Sequence, residues 1–124
     1  GSYLLIRYIS NKYFISGTQR DSILTSNDGI TWSSSSLSST YDVREILYGN
    51  GLYIALLANT TVYFTSTNGI TWTVNNLPIS GTFLCSIYFN NLFIIIVDLI
   101  KMLYNKNIFL YCRRHVLDNE LNFY

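Results

Sequence analysis

Charge is what this sequence has least of. Asp, Glu, Lys and Arg make up 12% of its 124 residues and nearly cancel, at a net charge of +1, against roughly 25% charge in an average soluble domain. That balance excludes a broad electrostatic footprint for nucleic acid or an acidic membrane surface. The one basic cluster, Arg113-Arg114-His115, reads as a solvated tail. His115 is the single histidine. With no paired carboxylates at a recognisable spacing and no glycine-rich phosphate loop, acid/base, metal and nucleotide chemistry are left without candidates, and no cofactor is implied. Cys85 and Cys112 form neither a CxxC nor a metal-ligand spacing and read as free thiols, one in a predicted strand and one in an irregular tail. The most apolar window, Leu92–Leu103, is broken by Asp98 and Lys101 and is too short to cross a bilayer. No signal-peptide pattern is visible. Gly1 stands where a Met would begin a gene product, and a strand-like run opens at Tyr3, which reads as a piece of something longer.

What the chain has instead is hydrophobic bulk, at 49%, and aromatic rings, at 16%, with 11 tyrosines and a single proline, Pro78. This composition suits an all-β fold surfaced with Ser, Thr and Asn. The order of these residues is periodic. Thr25-Ser26-Asn27-Asp28-Gly29-Ile30-Thr31-Trp32 recurs 40 positions later as Thr65-Ser66-Thr67-Asn68-Gly69-Ile70-Thr71-Trp72. Residues 1–40 laid on 41–80 without a gap share ten identities, among them Ile6/Ile46, Tyr8/Tyr48, Tyr13/Tyr53 and Leu37/Leu77. A period near 40 built from short β segments predicts four-stranded antiparallel units that bury their faces on one another, as propeller blades do.

Turn residues divide each repeat into strands. The first is expected to run as Tyr3–Ile9, Tyr13–Ser16, Ser22–Ser26 and Ile30–Ser33, the second as Val43–Tyr48, Leu52–Ala58, Thr61–Ser66 and Ile70–Val74. Gly49-Asn50-Gly51 and Asn59-Thr60 are expected reversals, and Asp28-Gly29 and Asn68-Gly69 are expected in tight hairpin turns. A third repeat starts on schedule with Phe83–Phe89, the Asn90-Asn91 turn and Leu92–Val97. Its motif, due at about 106–112, is replaced by Lys106-Asn107-Ile108-Phe109-Leu110-Tyr111-Cys112. The expected organisation is therefore a repeat segment over 1–97, with blades at about 1–40, 41–80 and a partial 81–97, then an atypical, irregular tail over 98–124. Two readings of the tail stand side by side: an evolved cap, or out-of-frame sequence. A blade cut after two strands would leave an open edge for self-association or further blades, with Leu99–Leu110 apolar enough to cover it.

Ser26-x-Asp28-Gly29-x-Thr31-Trp32 resembles the Asp-box, or bacterial neuraminidase repeat, shortened by one residue between the acid and the glycine. In the second copy Asn68 replaces the acid. The resemblance covers residues 1–97 and implies an incomplete propeller with the motif on the outer hairpin of each blade. It further implies a phage, viral or cell-surface protein, extracellular or on a virion. In that setting Ser26, Asp28, Gly29, Thr31, Trp32, Ser66, Asn68, Gly69, Thr71 and Trp72 are structural motif residues. Asp28 is expected to accept backbone N–H bonds across its turn. Ser26 and Thr31 are expected to pair hydroxyls across the ladder, and Trp32 and Trp72 to be largely buried between sheets. Sialidase catalysis needs an arginine cluster, a Tyr nucleophile and an acid, but Arg7, Arg20 and Arg44 fall at three different repeat positions. The function expected is a non-catalytic structural or binding module engaging a glycan or protein ligand. The alternative is a fragment of a sialidase-like glycoside hydrolase whose catalytic residues lie in other blades.

Overall fold

A computed structural model describes residues 3–58, 60, 62–76, 82–89, 91–98 and 112–118. The expectations for Asn59, Asn90, the span Leu99–Leu110 and the displaced motif at 106–111 fall outside these. Every described element is a strand, paired antiparallel in one of three sheets. The first sheet is β1 (Tyr3–Ile9), β2 (Lys12–Gly17), β3 (Arg20–Ser26) and β4 (Ser33–Tyr41), side by side in chain order. The second is β5 (Val43–Gly49), β6 (Leu52–Leu57), β7 (Val62–Ser66) and β8 (Thr73–Asn76), ordered the same way. The third is β9 (Thr82–Phe89), β10 (Leu92–Asp98) and β11 (Cys112–Asp118), with β10 in the middle.

The 40-residue period survives as register. Tyr8 faces Tyr13, Tyr48 faces Tyr53 and Tyr88 faces Phe93, and each pair stacks its rings with centroids 4.4–4.6 Å apart. Even the irregularity repeats. The first hairpin of every sheet slips by one residue, at Leu4, Arg44 and Leu84, which is a β-bulge recurring in step. The first two hairpins close through Ser10-Asn11 and Asn50-Gly51, with φ of 51°, 61°, 49° and 80°. Two successive positive φ values are the type I′ turn, whose twist matches that of the strands it joins.

Alternation along the strands gives each sheet two faces, and the sheets are layered by burying them. One core lies between the first two sheets, where Phe14, Ile23 and Leu37 meet Ile46, Ala55 and Phe64. A second lies between the second and third, where Ile54, Leu56 and Tyr63 meet Phe93 and Ile95. β6 therefore reads as a continuous apolar run, Leu52-Tyr53-Ile54-Ala55-Leu56-Leu57, because both of its faces are covered. Full burial of a side chain such as Phe14 or Ile54 contributes about 1.5–3 kcal/mol.

Two expectations are corrected here. The fourth strands begin at Ser33 and Thr73, so Ile30, Thr31, Ile70 and Thr71 precede them rather than belong to them. Cys112–Asp118, expected in an irregular tail, is a strand whose seven residues all pair with β10, so the edge expected to be open is covered. Tyr13 faces Ser26 and Tyr53 faces Ser66, each thirteen residues on, whereas Phe93 faces Leu117, twenty-four residues on. The third sheet thus recruits its outer strand from beyond a longer connection.

Candidate functional site

Among the described residues, the two motif loops each hold a dense network of side-chain to backbone bonds. Each links a third strand to a fourth through six residues, 27–32 and 67–72, a wider reversal than the tight turn expected. In the first, Ser26 Oγ accepts the backbone N–H groups of Asp28, at 3.2 Å, and Gly29, at 2.8 Å. The Ser26 hydroxyl donates to Asp28 Oδ1 at 3.0 Å. That same carboxylate oxygen accepts N–H bonds from Ile30 and Thr31, both at 2.8 Å. Gly29 sits at φ +77°, in the left-handed region where a Cβ is unwelcome.

The second loop repeats the network atom for atom. Ser66 Oγ accepts from Asn68 and Gly69 at 3.3 and 2.8 Å and donates to Asn68 Oδ1 at 3.0 Å. Asn68 Oδ1 then accepts from Ile70 and Thr71 at 2.8 and 2.9 Å. Asparagine keeps the one oxygen the loop uses, so the lost charge leaves the geometry intact. In the first loop the charge is retained, and the bonds from Thr31 and Ile30, then from Ser26, hold the Asp28 carboxyl below its ordinary range.

This arrangement answers what each motif residue does. Asp28 accepts backbone N–H bonds as expected. Ser26 does not pair across the ladder: its hydroxyl turns into its own loop, and Thr31 contributes its backbone N–H. The two tryptophans are half-buried rather than largely buried, and their surroundings differ. Trp72 packs on the core between the first two sheets. Trp32 lies against Tyr13 of its own sheet, with its indole N–H on Gly29 O at 3.3 Å.

Beside the first loop is a small polar cleft of ≈ 170 Å³, lined by Lys12, Thr25, Asn27, Thr31 and Ser33 as well as Ser26 and Asp28, with Ile70 reaching across from the second loop. Lys12 Nζ donates to Asn27 Oδ1 at 3.1 Å, which fixes the cation at the rim. Its volume is below the roughly 300–1,000 Å³ of drug-sized sites and suits one ring-sized polar group. Neither Lys12 nor Ile70 stands out as a site residue in the sequence. Lys12 reaches Asn27 only because β2 and β3 pair with Tyr13 opposite Ser26, and Ile70 arrives from another sheet.

The arginines are dispersed. Arg7 makes a two-pronged ion pair with Glu45, Nε to Oε1 at 2.8 Å and the second guanidinium nitrogen to Oε2 at 3.0 Å, tying β1 to β5. Arg20 opens β3, and Arg44 is exposed at the bulge of β5. Among the described residues no group of three His, Cys, Asp or Glu side chains is placed to hold a metal ion. No described helix is long and apolar enough to cross a membrane. No family model, curated protein or solved structure matches the chain.

Proposed function

We propose that the three sheets are blades of an Asp-box type propeller and that the chain is a non-catalytic binding module, of the kind carried on a phage, virion or cell surface. The observation that carries this reading is the conversion of Asp28 to Asn68 with no change in the loop it organises. A carboxylate that an amide replaces in the next repeat is serving as an acceptor for backbone N–H groups, a structural task. With the motif's own atoms occupied in this way, recognition falls to the side chains around it. The hydroxyls of Thr25, Thr31 and Ser33 and the Lys12 ammonium give the cleft donors and acceptors of the sort that bind a saccharide ring or a polar peptide side chain.

Titration of the labelled protein with sialylated and neutral oligosaccharides, followed by NMR, tests this. Shifts confined to Lys12, Asn27, Thr31 and Ser33, abolished by Lys12→Ala and without turnover of the ligand, are the expected result. Hydrolysis of a sialoside that is lost on changing Arg7, Arg20 or Arg44 would instead establish an enzyme.

A further inference from the structure

Sheet faces forty residues apart are treated very differently in this fold. In the second sheet, Ile46, Ala55 and Phe64 form one cross-strand row and are buried against the first sheet. The same row in the first sheet is Ile6, Ile15 and Leu24. In that row Ile6 is 64% exposed where Ile46 is 0%, Ile15 and Leu24 are half-buried, and Tyr8 beside Ile6 is 58% exposed. The row itself carries no charge.

At the opposite end the third sheet turns its inner residues, Phe93 and Ile95, onto the second sheet. Ile87 and Phe89, on the face pointing away, are 53% and 65% exposed. Ile87 stands where Leu47 stands in the second sheet, and Leu47 packs against the core shared with the third. The uncovered face at each end is thus the repeat-equivalent of a face that is covered inside the stack. The two ends are complementary in the same sense as the sheets already joined.

From this pairing we infer that the first sheet's outer face is an interface for a second copy of the chain, joined head to tail: the third sheet of one copy covers the first sheet of the other. A head-to-tail contact closes into a ring if its rotation allows. Propellers typically hold about four to eight blades, so two copies of the three described sheets make a ring within that range and three copies do not. The assembly is a closed dimer with two identical contacts. This rests on reading the sheets as blades, but not on any ligand in the cleft.

The test is sedimentation velocity on the full chain, on Ile6→Asp, on Ile87→Asp and on an equimolar mixture of the two variants. Both changes are at exposed side chains, and circular dichroism checks that each variant folds. The unaltered chain should sediment as a dimer and each variant as a monomer. In the mixture each mixed pair has one contact unaltered on both sides, so dimers of one variant with the other should return. A monomeric parent chain, a concentration-dependent ladder of larger species, or loss of the dimer in Ile6→Asp alone would overturn the inference, the last by indicating a face-to-face contact of first sheets. Saccharide shifts at Lys12 in a monomeric variant would keep the binding reading apart from this one.

Discussion

The Trp72 indole stands edge-on to the Phe14 ring, their centroids 6.4 Å apart and their planes at 72°, and so ties the second motif loop to the first sheet. Trp32, at the same place in the repeat, meets Tyr13 of its own sheet instead. The motif tryptophan is therefore a clamp on the preceding sheet, and it can work only where a preceding sheet is packed.

Truncation should separate the two. Trp72→Ala opens the core between the first and second sheets and is expected to cost about 2–4 kcal/mol, in the range of large-to-small core changes. Trp32→Ala should cost under about 1 kcal/mol, as changes away from packed cores do. Urea unfolding of both variants measures this. Equal losses would mean that the clamp role is wrong.

Three glycines should fail for different reasons when given a methyl group. A Cβ on Gly51, at φ +80°, meets nothing within 4 Å, so Gly51→Ala should cost only backbone strain, about 1 kcal/mol. Gly69 has φ +75° and would also press on Phe14 at 3.0 Å, so its cost should be larger. At Gly49 the Tyr88 ring already occupies the space a Cβ would need. Gly49→Ala should therefore loosen the third sheet from the second, seen as faster amide exchange along β9 and β10 with β1–β4 unchanged.

The first hairpin turn can be improved. Ser10 and Asn11 both hold positive φ where the second hairpin uses Asn50 and Gly51. Serine has no particular tolerance for that region, whereas asparagine and glycine do. Ser10→Asn combined with Asn11→Gly should raise stability by roughly 0.5–1 kcal/mol. Thermal melts decide it, and a drop would indicate a role for these side chains beyond the turn.

These cases mark what the amino-acid order reveals. β1, β5, β9 and β10 fall within a residue of where alternation and turn chemistry put them, because each hairpin is local and its turn residues are explicit. The fourth strands depart from the expected positions because Ile30, Thr31 and Trp32 have strand propensity while Ser33–Ser36 do not. The bonds that the Ile30 and Thr31 N–H groups donate to Asp28 take those residues out of the ladder, and the serines inherit it. β11 was invisible because its partner lies across a long connection and no turn signal announces the pairing. The motif's acceptor role was legible from Asp-Gly chemistry. The cleft was not, since its lining converges from two sheets.

The paired loops also make a built-in control for the electrostatics of the fold. Asp28 titrates below its ordinary value of 3.8 because backbone N–H groups of Thr31 and Ile30 bind its ionised form. A carboxyl whose folded value lies below its unfolded one stabilises the fold above the unfolded value, and that contribution is lost as pH falls through the lowered folded value. Asn68 fills the same place with no titrating group, so the second loop contributes nothing to the acid limb. Asp28→Asn should keep the loop, as the second repeat does, but flatten the fall in melting temperature below about pH 4. Asn68→Asp should steepen it, because the same backbone donors await a charge. Melting curves of the parent chain and both variants from pH 7 to pH 2 measure the two slopes together. If Asp28→Asn left the acid limb unchanged, the first loop would not be a source of the chain's acid sensitivity, and the carboxylate's bonds to Thr31 and Ile30 would have to be energetically equivalent to an amide's.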